Sequence, residues 1–347
     1  MTSKCSKLLF IAVLAMIATA GPFVLGLAGP AAVPTFALSP EAGLTIGLAG
    51  LIVNRANLTA MFQGFKVIFD QAFKGTTPSW DKIAMLSESS GSEEVYPWLG
   101  MTTRFREWLG DRQVQNLKTY DWTVKNKSFE NTVGVSRDHI EDDKYGVYKP
   151  LVAQLGQDAA EHPDQLVFSL LPAGFATLCY DGQYFFDTDH PVLDAAGNAT
   201  SVSNFGGGAG TAWYLIDDTR MIKPFIFQKR RDYQFVGMDS PTDEVVFTRK
   251  EYRYGVDARV NAAYGLWQLA YASKQTLDAT NYGAARAAMM GQLGDNGRPL
   301  GLRPSLLVVP PSLEKAAFDV VQAERLANGQ DNAYYKSARV LVSPWLS

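Results

Sequence analysis

Apolar residues recur at helical spacing over residues 58–73, where Leu58, Met61, Phe62, Phe65, Ile68, Phe69 and Phe73 share one face. Asn57 or Thr59 is placed to cap this helix and Gly75 to end it. From Tyr120 the period falls to two. Tyr120, Trp122 and Val124 alternate with polar residues, Lys125-Asn126-Lys127-Ser128 has turn composition, and Phe129, Val133 and Val135 resume the alternation. This predicts a long hairpin with lysines at its tip. Helical spacing returns over 148–175, with Leu151, Leu155, Ala159, Leu166, Leu170 and Leu171 near one face, and Pro163 is expected to split or kink that helix. Residues 76–110 have no period. Trp80, Tyr96-Pro97-Trp98 and Trp108 stand there among Ser, Gly and Glu, the pattern of an extended arm with aromatic anchors.

The glycine-rich stretch 198–210 predicts a flexible loop. Short apolar runs predict strands at 213–216, 225–228, 244–248, 305–309 and 340–342. Helices are expected over 258–273, from Val260, Tyr264, Trp267 and Tyr271, over 278–293, and over 313–326 with Ser312 as cap. Strands and helices do not alternate strictly and no internal repeat is present, so the class is α+β.

Composition narrows the function. The 347 residues are 47% hydrophobic and 19% charged, enough for a sizeable core and wrong for a disordered chain. A net charge of −3 argues against a broad basic face for nucleic acid, and two cysteines exclude a disulfide scaffold. The charges are unevenly spread. Of 32 basic and 35 acidic residues, only Lys4, Lys7 and Glu41 precede Arg55. Lys4 and Lys7 followed by the uncharged run 8–20 and Ala18-Thr19-Ala20 have the grammar of a secretory signal peptide, with Gly21-Pro22 breaking any longer span. Taken alone, this front predicts export; the competing expectation is an over-extended start, with initiation near Leu51 or Val53.

Candidate chemistry is sparse. Asp187, Asp189 and His190 form the one metal-like cluster, two carboxylates beside an imidazole that suit a divalent cation or acid–base work. The plainer reading is that these aspartates make turn hydrogen bonds leading into His190-Pro191. Gly134-Val135-Ser136 lacks the second glycine of a nucleophile elbow, and the glycines from Gly206 lack the Lys-Ser/Thr of a phosphate loop. Cys179 reads as a packed thiol. No catalytic residue, cofactor site or metal site is assigned. Trp98, Trp108, Tyr120, Trp122 and Phe129, with Lys125 and Lys127, instead suit contacts between protein chains. The two lysines are read as keeping an exposed hairpin soluble in preference to forming a covalent crosslink.

Several runs carry a family resemblance. They are Trp98-Leu99-Gly100 with Leu109-Gly110-Asp111-Arg112, the segment from Lys127-Ser128-Phe129-Glu130-Asn131 to Ser136-Arg137, Cys179-Tyr180-Asp181-Gly182-Gln183-Tyr184-Phe185-Phe186-Asp187 with Asp189-His190-Pro191-Val192, Lys223-Pro224-Phe225-Ile226-Phe227-Gln228, and Leu306-Leu307-Val308-Val309-Pro310. In this order, across 54–346, the chain resembles the Mu-like phage major head subunit (gpT) family. The resemblance implies an α+β, Hong Kong 97-type tailed-phage capsid fold. Its parts would be an N-terminal arm at 54–112, an E-loop hairpin at 113–138, a spine helix and peripheral domain at 139–178, and an axial domain with peripheral returns at 179–347. Residues 1–53 have no counterpart in the family. The implied role is a structural, non-enzymatic shell subunit, present in the virion and assembled in the bacterial host cytoplasm without a membrane. Its implied partners are further copies in hexamers and pentamers, a scaffold, a head-maturation protease, a portal, and double-stranded DNA in weak non-specific contact. The alternative from the leader and the His190 cluster is an exported periplasmic or surface protein, a metal-dependent hydrolase using Asp187, Asp189 and His190.

Overall fold

A computed structural model of the protein describes residues 55–99, 122–142, 144–194, 196–240, 242–326 and 329–346. The apolar front (1–53), Trp108 and Tyr120 lie outside the described residues.

Helix α1 (Arg55–Gly75) buries Leu58, Met61, Phe65 and Phe69, the face its spacing predicts. Asn57 and Thr59 lie within the helix and do not cap it; the Thr59 hydroxyl donates back to the Arg55 carbonyl (2.8 Å). Strands β1 (Ala84–Glu88) and β2 (Glu93–Val95) follow, then β3 (Thr123–Lys125), β4 (Lys127–Ser136) and the short helix α2 (Arg137–Glu141). Helix α3 (Lys149–Ala173) runs through Pro163 without a break, so the expected split does not occur. Its burial of Val152, Leu155, Ala159, Val167, Phe168 and Leu171 outweighs the ~3 kcal/mol that an interior proline costs a helix. Leu151, expected on that face, is exposed.

The predicted loop at 198–210 is ordered sheet. Strands β5 (His190–Leu193) and β6 (Ala199–Val202) form a hairpin, and β7 (Phe205–Gly208) and β8 (Trp213–Ile216) join a larger sheet. Strand β9 (Phe225–Met238) is far longer than the four residues expected. The expected strand at 244–248 is helix α4 (Glu244–Arg249). Asp243 starts it, accepting the Phe247 N–H on its carbonyl (3.0 Å) and the Ser240 N–H on its carboxylate (3.0 Å). The largest reversal concerns the expected helix at 258–273, which is strand β10 (Glu251–Tyr264) followed by β11 (Ala270–Lys274). Val260 and Tyr264 are four apart, a spacing that shares a face in a strand as well as in a helix. The deciding period-two signal is Tyr252, Tyr254, Val256, Ala258 and Val260, all buried.

Helix α5 (Ala279–Met290) is capped by Asp278, whose carboxylate accepts from the Asn281 N–H (2.8 Å). The hairpin β12 (Leu293–Gly294) and β13 (Arg298–Pro299) leads to β14 (Leu306–Val309), α6 (Glu314–Val321) and β15 (Arg339–Val342). Ser312 makes no side-chain cap. Helix α6 stops well short of 326 because the Asn332 amide donates to the Val320 and Ala323 carbonyls (2.8 Å each) and so satisfies its end.

Two sheets result. The first has order β1-β9-β10-β4, with β1 parallel to β9 and the other pairings antiparallel. Helices α1 and α3 pack on it, enclosing a core of Leu58, Phe65, Phe69, Leu155, Phe235 and Tyr254. The helices come close at Gly156, where an added Cβ would stand 2.6 Å from the Phe69 carbonyl oxygen. The second sheet has order β15-β14-β8-β11-β7 and lies in the larger core with Trp213, Trp267, Phe185 and Tyr282.

Two expectations about the front half fail here. Residues 76–99 are not a free arm, because Ile83, Ala84, Tyr96 and Leu99 are buried in the subunit's own core. The hairpin with Lys125 and Lys127 at its tip does not form either: β3 pairs with β2, and β4 pairs along its whole length with β10. Lys127 sits opposite Val260 within the sheet. The turn-like composition of 125–128 marks the crossing from one sheet to another.

Candidate functional site

A tight turn precedes β5. The Cys179 N–H donates to the Gln183 carbonyl (2.8 Å) and the Gly182 N–H to the Cys179 carbonyl (3.1 Å), with Gly182 at φ +88°, a value glycine takes without strain. The turn brings Cys179 and Asp181 against His190. His190 Nδ1 lies 2.7 Å from Asp181 Oδ2, and the Cys179 thiol donates to Asp181 Oδ1 at 3.0 Å. On the opposite side, His190 Nε2 lies 3.2 Å from Asn204 Oδ1. The Asn204 amide is oriented by donating to the Phe185 carbonyl (2.8 Å) and by accepting from the Asp187 N–H (2.9 Å). The imidazole stacks on Trp267 with centroids 3.9 Å apart and rings 10° from parallel. His190 is 0% exposed.

The electrostatics follow from this packing. Burial raises the Asp181 carboxyl, but hydrogen bonds from His190 and Cys179 outweigh it and hold the group below the usual carboxylate range. Burial, reinforced by the adjacent Asp181 charge, pushes the Cys179 thiol well above its ordinary value, so it is not a poised nucleophile.

Among the described residues, the predicted trio of Asp187, Asp189 and His190 does not form a metal-ligand cluster. Asp187 accepts the Tyr184 N–H (3.2 Å) and the Thr188 N–H (2.7 Å), as a turn aspartate does, and Asp189 is exposed. The partner that sequence reasoning missed is Asp181. Its signal was the Asp181-Gly182 turn dipeptide, which folds Cys179 back beside the start of β5. The other histidines stand apart: His139 Nδ1 lies 2.7 Å from the Tyr148 hydroxyl, and His162 Nδ1 lies 2.5 Å from the Tyr233 hydroxyl.

The residues proposed for contacts between chains fall into two groups. Trp98, Trp122 and Phe129 are half-buried and pack on the subunit's own core. Phe129 meets His162 edge to face at 4.4 Å, on the wall of a cavity of about 330 Å³ that Glu130, Asp158, Glu161, Tyr233 and Trp345 also line. Lys125 and Lys127 are exposed, on either side of Asn126. Far more exposed apolar side chains are Met221 (93%), Phe247 (86%) and Val147 (73%), none of which the sequence singled out.

Among the described residues, Cys179, Asp181 and His190 form a packed polar trio, buried at the start of β5. Comparison with known proteins gives the identity. The profile of the Mu-like prophage major head subunit gpT family matches residues 58–346. The chain belongs to this family. It is 39% identical over 285 residues to the major capsid protein of Escherichia phage Mu, covering 80% of this chain and 93% of that one. It is 41% identical over 299 residues to the Mu-like prophage FluMu major head subunit of Haemophilus influenzae, covering 83% and 97%. A chain of the procapsid of bacteriophage JBD30 superposes with a TM-score of 0.76 at 44% identity, covering 84% of this chain and all of that one. The fold is therefore the α+β capsid fold of a tailed phage, and the protein is a major head subunit, a component of the virion. Among the described residues, no helix is long and apolar enough to cross a membrane. The exported-hydrolase alternative has no support from the family.

Proposed function

We propose that copies of this head subunit close into hexamers and pentamers of an icosahedral shell around double-stranded DNA, assembling in the bacterial host cytoplasm. The observation that carries this reading is the match to the JBD30 procapsid chain over its whole length. Such a shell needs many weak lateral contacts, each multiplied by the number of neighbours. The exposed Phe247, Met221 and Val147 support it, since large apolar side chains left in water on a lone subunit are natural contact points.

In this reading α3 is the spine helix and the five-stranded sheet with α5 and α6 belongs to the axial domain. The antiparallel β2–β3 pairing brings Val95 opposite Thr123, within the 113–138 segment that the resemblance assigns to the E-loop. Helix α1 packs on α3 and lies at the base of the N-terminal arm. A scaffold, a head-maturation protease and a portal are the partners this role calls for, and the subunit acts by association, without catalysis. A net charge of −3 supports only weak, local contact with packaged DNA.

Expression of the full chain, followed by sedimentation and electron microscopy, tests the proposal. Shells or curved sheets are expected; small discrete oligomers under every assembly condition would overturn it.

A further inference from the structure

We propose that Cys179, Asp181 and His190 form a structural zinc site inside each subunit. The three donor atoms, Sγ, a carboxylate oxygen and a ring nitrogen, all lie within 4.8 Å of one another. Cys179 is 2% and His190 0% exposed, and the Asp181 side chain is 3% exposed. A sulfur–nitrogen–oxygen set is the chemistry of zinc, whereas calcium and magnesium take oxygen throughout. Bonds of about 2.3 Å to sulfur and about 2.0 Å to nitrogen and oxygen need shifts of only a few tenths of an ångström in a trio already this close. The two Asp181 oxygens lie toward different partners, Oδ1 to Cys179 and Oδ2 to His190, so a bidentate carboxylate completes four positions without a further residue.

The surroundings are those of a metal-bound histidine. Such a ring binds through one nitrogen and donates its other N–H to a fixed oxygen. Asn204 Oδ1 is that oxygen, held in place by the Asp187 N–H and by the Phe185 carbonyl on the amide nitrogen. Both ring nitrogens of His190 face oxygens, Asp181 Oδ2 on one side and Asn204 Oδ1 on the other. With the dication on Nδ1 the ring is neutral. The dication displaces the Cys179 thiol proton, and any proton on Nδ1, to solvent, so ion binding is coupled to proton release. The exposed Gly182 on the turn gives the way in. The ion would cross-link the turn to β5 within a 12-residue segment, Cys179 to His190. It would add stability where the β5–β6 hairpin meets the larger core.

The test uses the assembled full-length protein, loaded with zinc chloride and freed of loose ion, with metal content read by mass spectrometry. About one zinc per subunit is expected, falling to background in Cys179→Ser and unchanged in Cys5→Ser. Because Cys179→Ser can fail to fold, the wild-type and Cys5→Ser proteins are also loaded with cobalt(II). Both should show a thiolate-to-cobalt charge-transfer band with tetrahedral cobalt absorption. Zinc at background and no such band in the wild type would mean a hydrogen-bonded trio only. Zinc retained in a folded Cys179→Ser, or a band lost in Cys5→Ser, would equally overturn the site.

Discussion

The Tyr96 hydroxyl donates to Gln228 Oε1 at 2.7 Å, joining residues 132 positions apart in the chain. Gln228 is fully buried in β9, and its amide nitrogen donates to the Val124 carbonyl (3.1 Å) and to Asn126 Oδ1 (2.8 Å). One side chain therefore ties both roots of the β2–β3 ribbon to the first sheet.

Replacing Gln228 with Leu leaves the Val124 carbonyl without that donor and the Tyr96 hydroxyl without its closest acceptor. A loss of about 1–3 kcal/mol is expected for such a buried group. Denaturant unfolding of the dissociated subunit measures it, and amide exchange at Thr123–Lys125 should accelerate more than exchange in β10.

Gly156→Ala sets two effects against each other. Alanine favours an exposed helix over glycine by about 1 kcal/mol. Here its Cβ would press on the Phe69 carbonyl at 2.6 Å, and backbone cannot rotate away. Overpacking of this kind costs about 1–3 kcal/mol, so the variant should unfold at lower denaturant than wild type. An equal or higher midpoint would show that α1 and α3 can separate at no cost.

Burial lowers His162 below the ordinary histidine value. The folded subunit then keeps the ring neutral while the unfolded chain takes up a proton near pH ~6.5. The unfolded state binds more protons in that window, so stability falls as pH drops below it and levels off below the depressed folded value. Unfolding curves between pH 8 and pH 5 (roughly the histidine range) should show this loss, and His162→Gln should flatten it.

Core and contact surfaces can be told apart by two aromatic substitutions. Trp122 packs on the subunit's own core, so Trp122→Ala should cost about 1–3 kcal/mol in the dissociated subunit. Phe247 is 86% exposed, so Phe247→Ser should change that stability by no more than ~0.5 kcal/mol while reducing shell yield. Light scattering during assembly and unfolding of the free subunit separate the two effects.

What the pattern showed correctly was local. The α1 face, the start of a helix at about Asp278, and the runs at β8 and β14 are set by neighbours within a turn or two, and each is where its spacing places it. The misreadings share a cause. Val260, Tyr264, Trp267 and Tyr271 fit a helix by spacing, but β9 and β4 lie on either side of β10 and make it a central strand. The glycines from Gly206 look flexible alone, yet β7 pairs with β11 more than sixty residues later. Lys125 to Ser128 has turn composition, and the chain indeed changes partner there, though it leaves one sheet for another.

At the candidate site, Cys179, Asp181 and His190 were all visible as residue types, and the Asp181-Gly182 turn is a local signal. Their convergence was not visible, because Asn204 and Trp267, which flank the His190 ring, arrive from the turn between β6 and β7 and the segment before β11. The sequence by itself determined the family, through ordered motifs spread over nearly 300 residues, and with it the capsid fold and structural role. Tertiary structure alone decided which aromatics are core and which are surface, which strands pair, and which carboxylate His190 meets. Burial and pairing are set by residues distant in the chain, and local spacing carries no record of them.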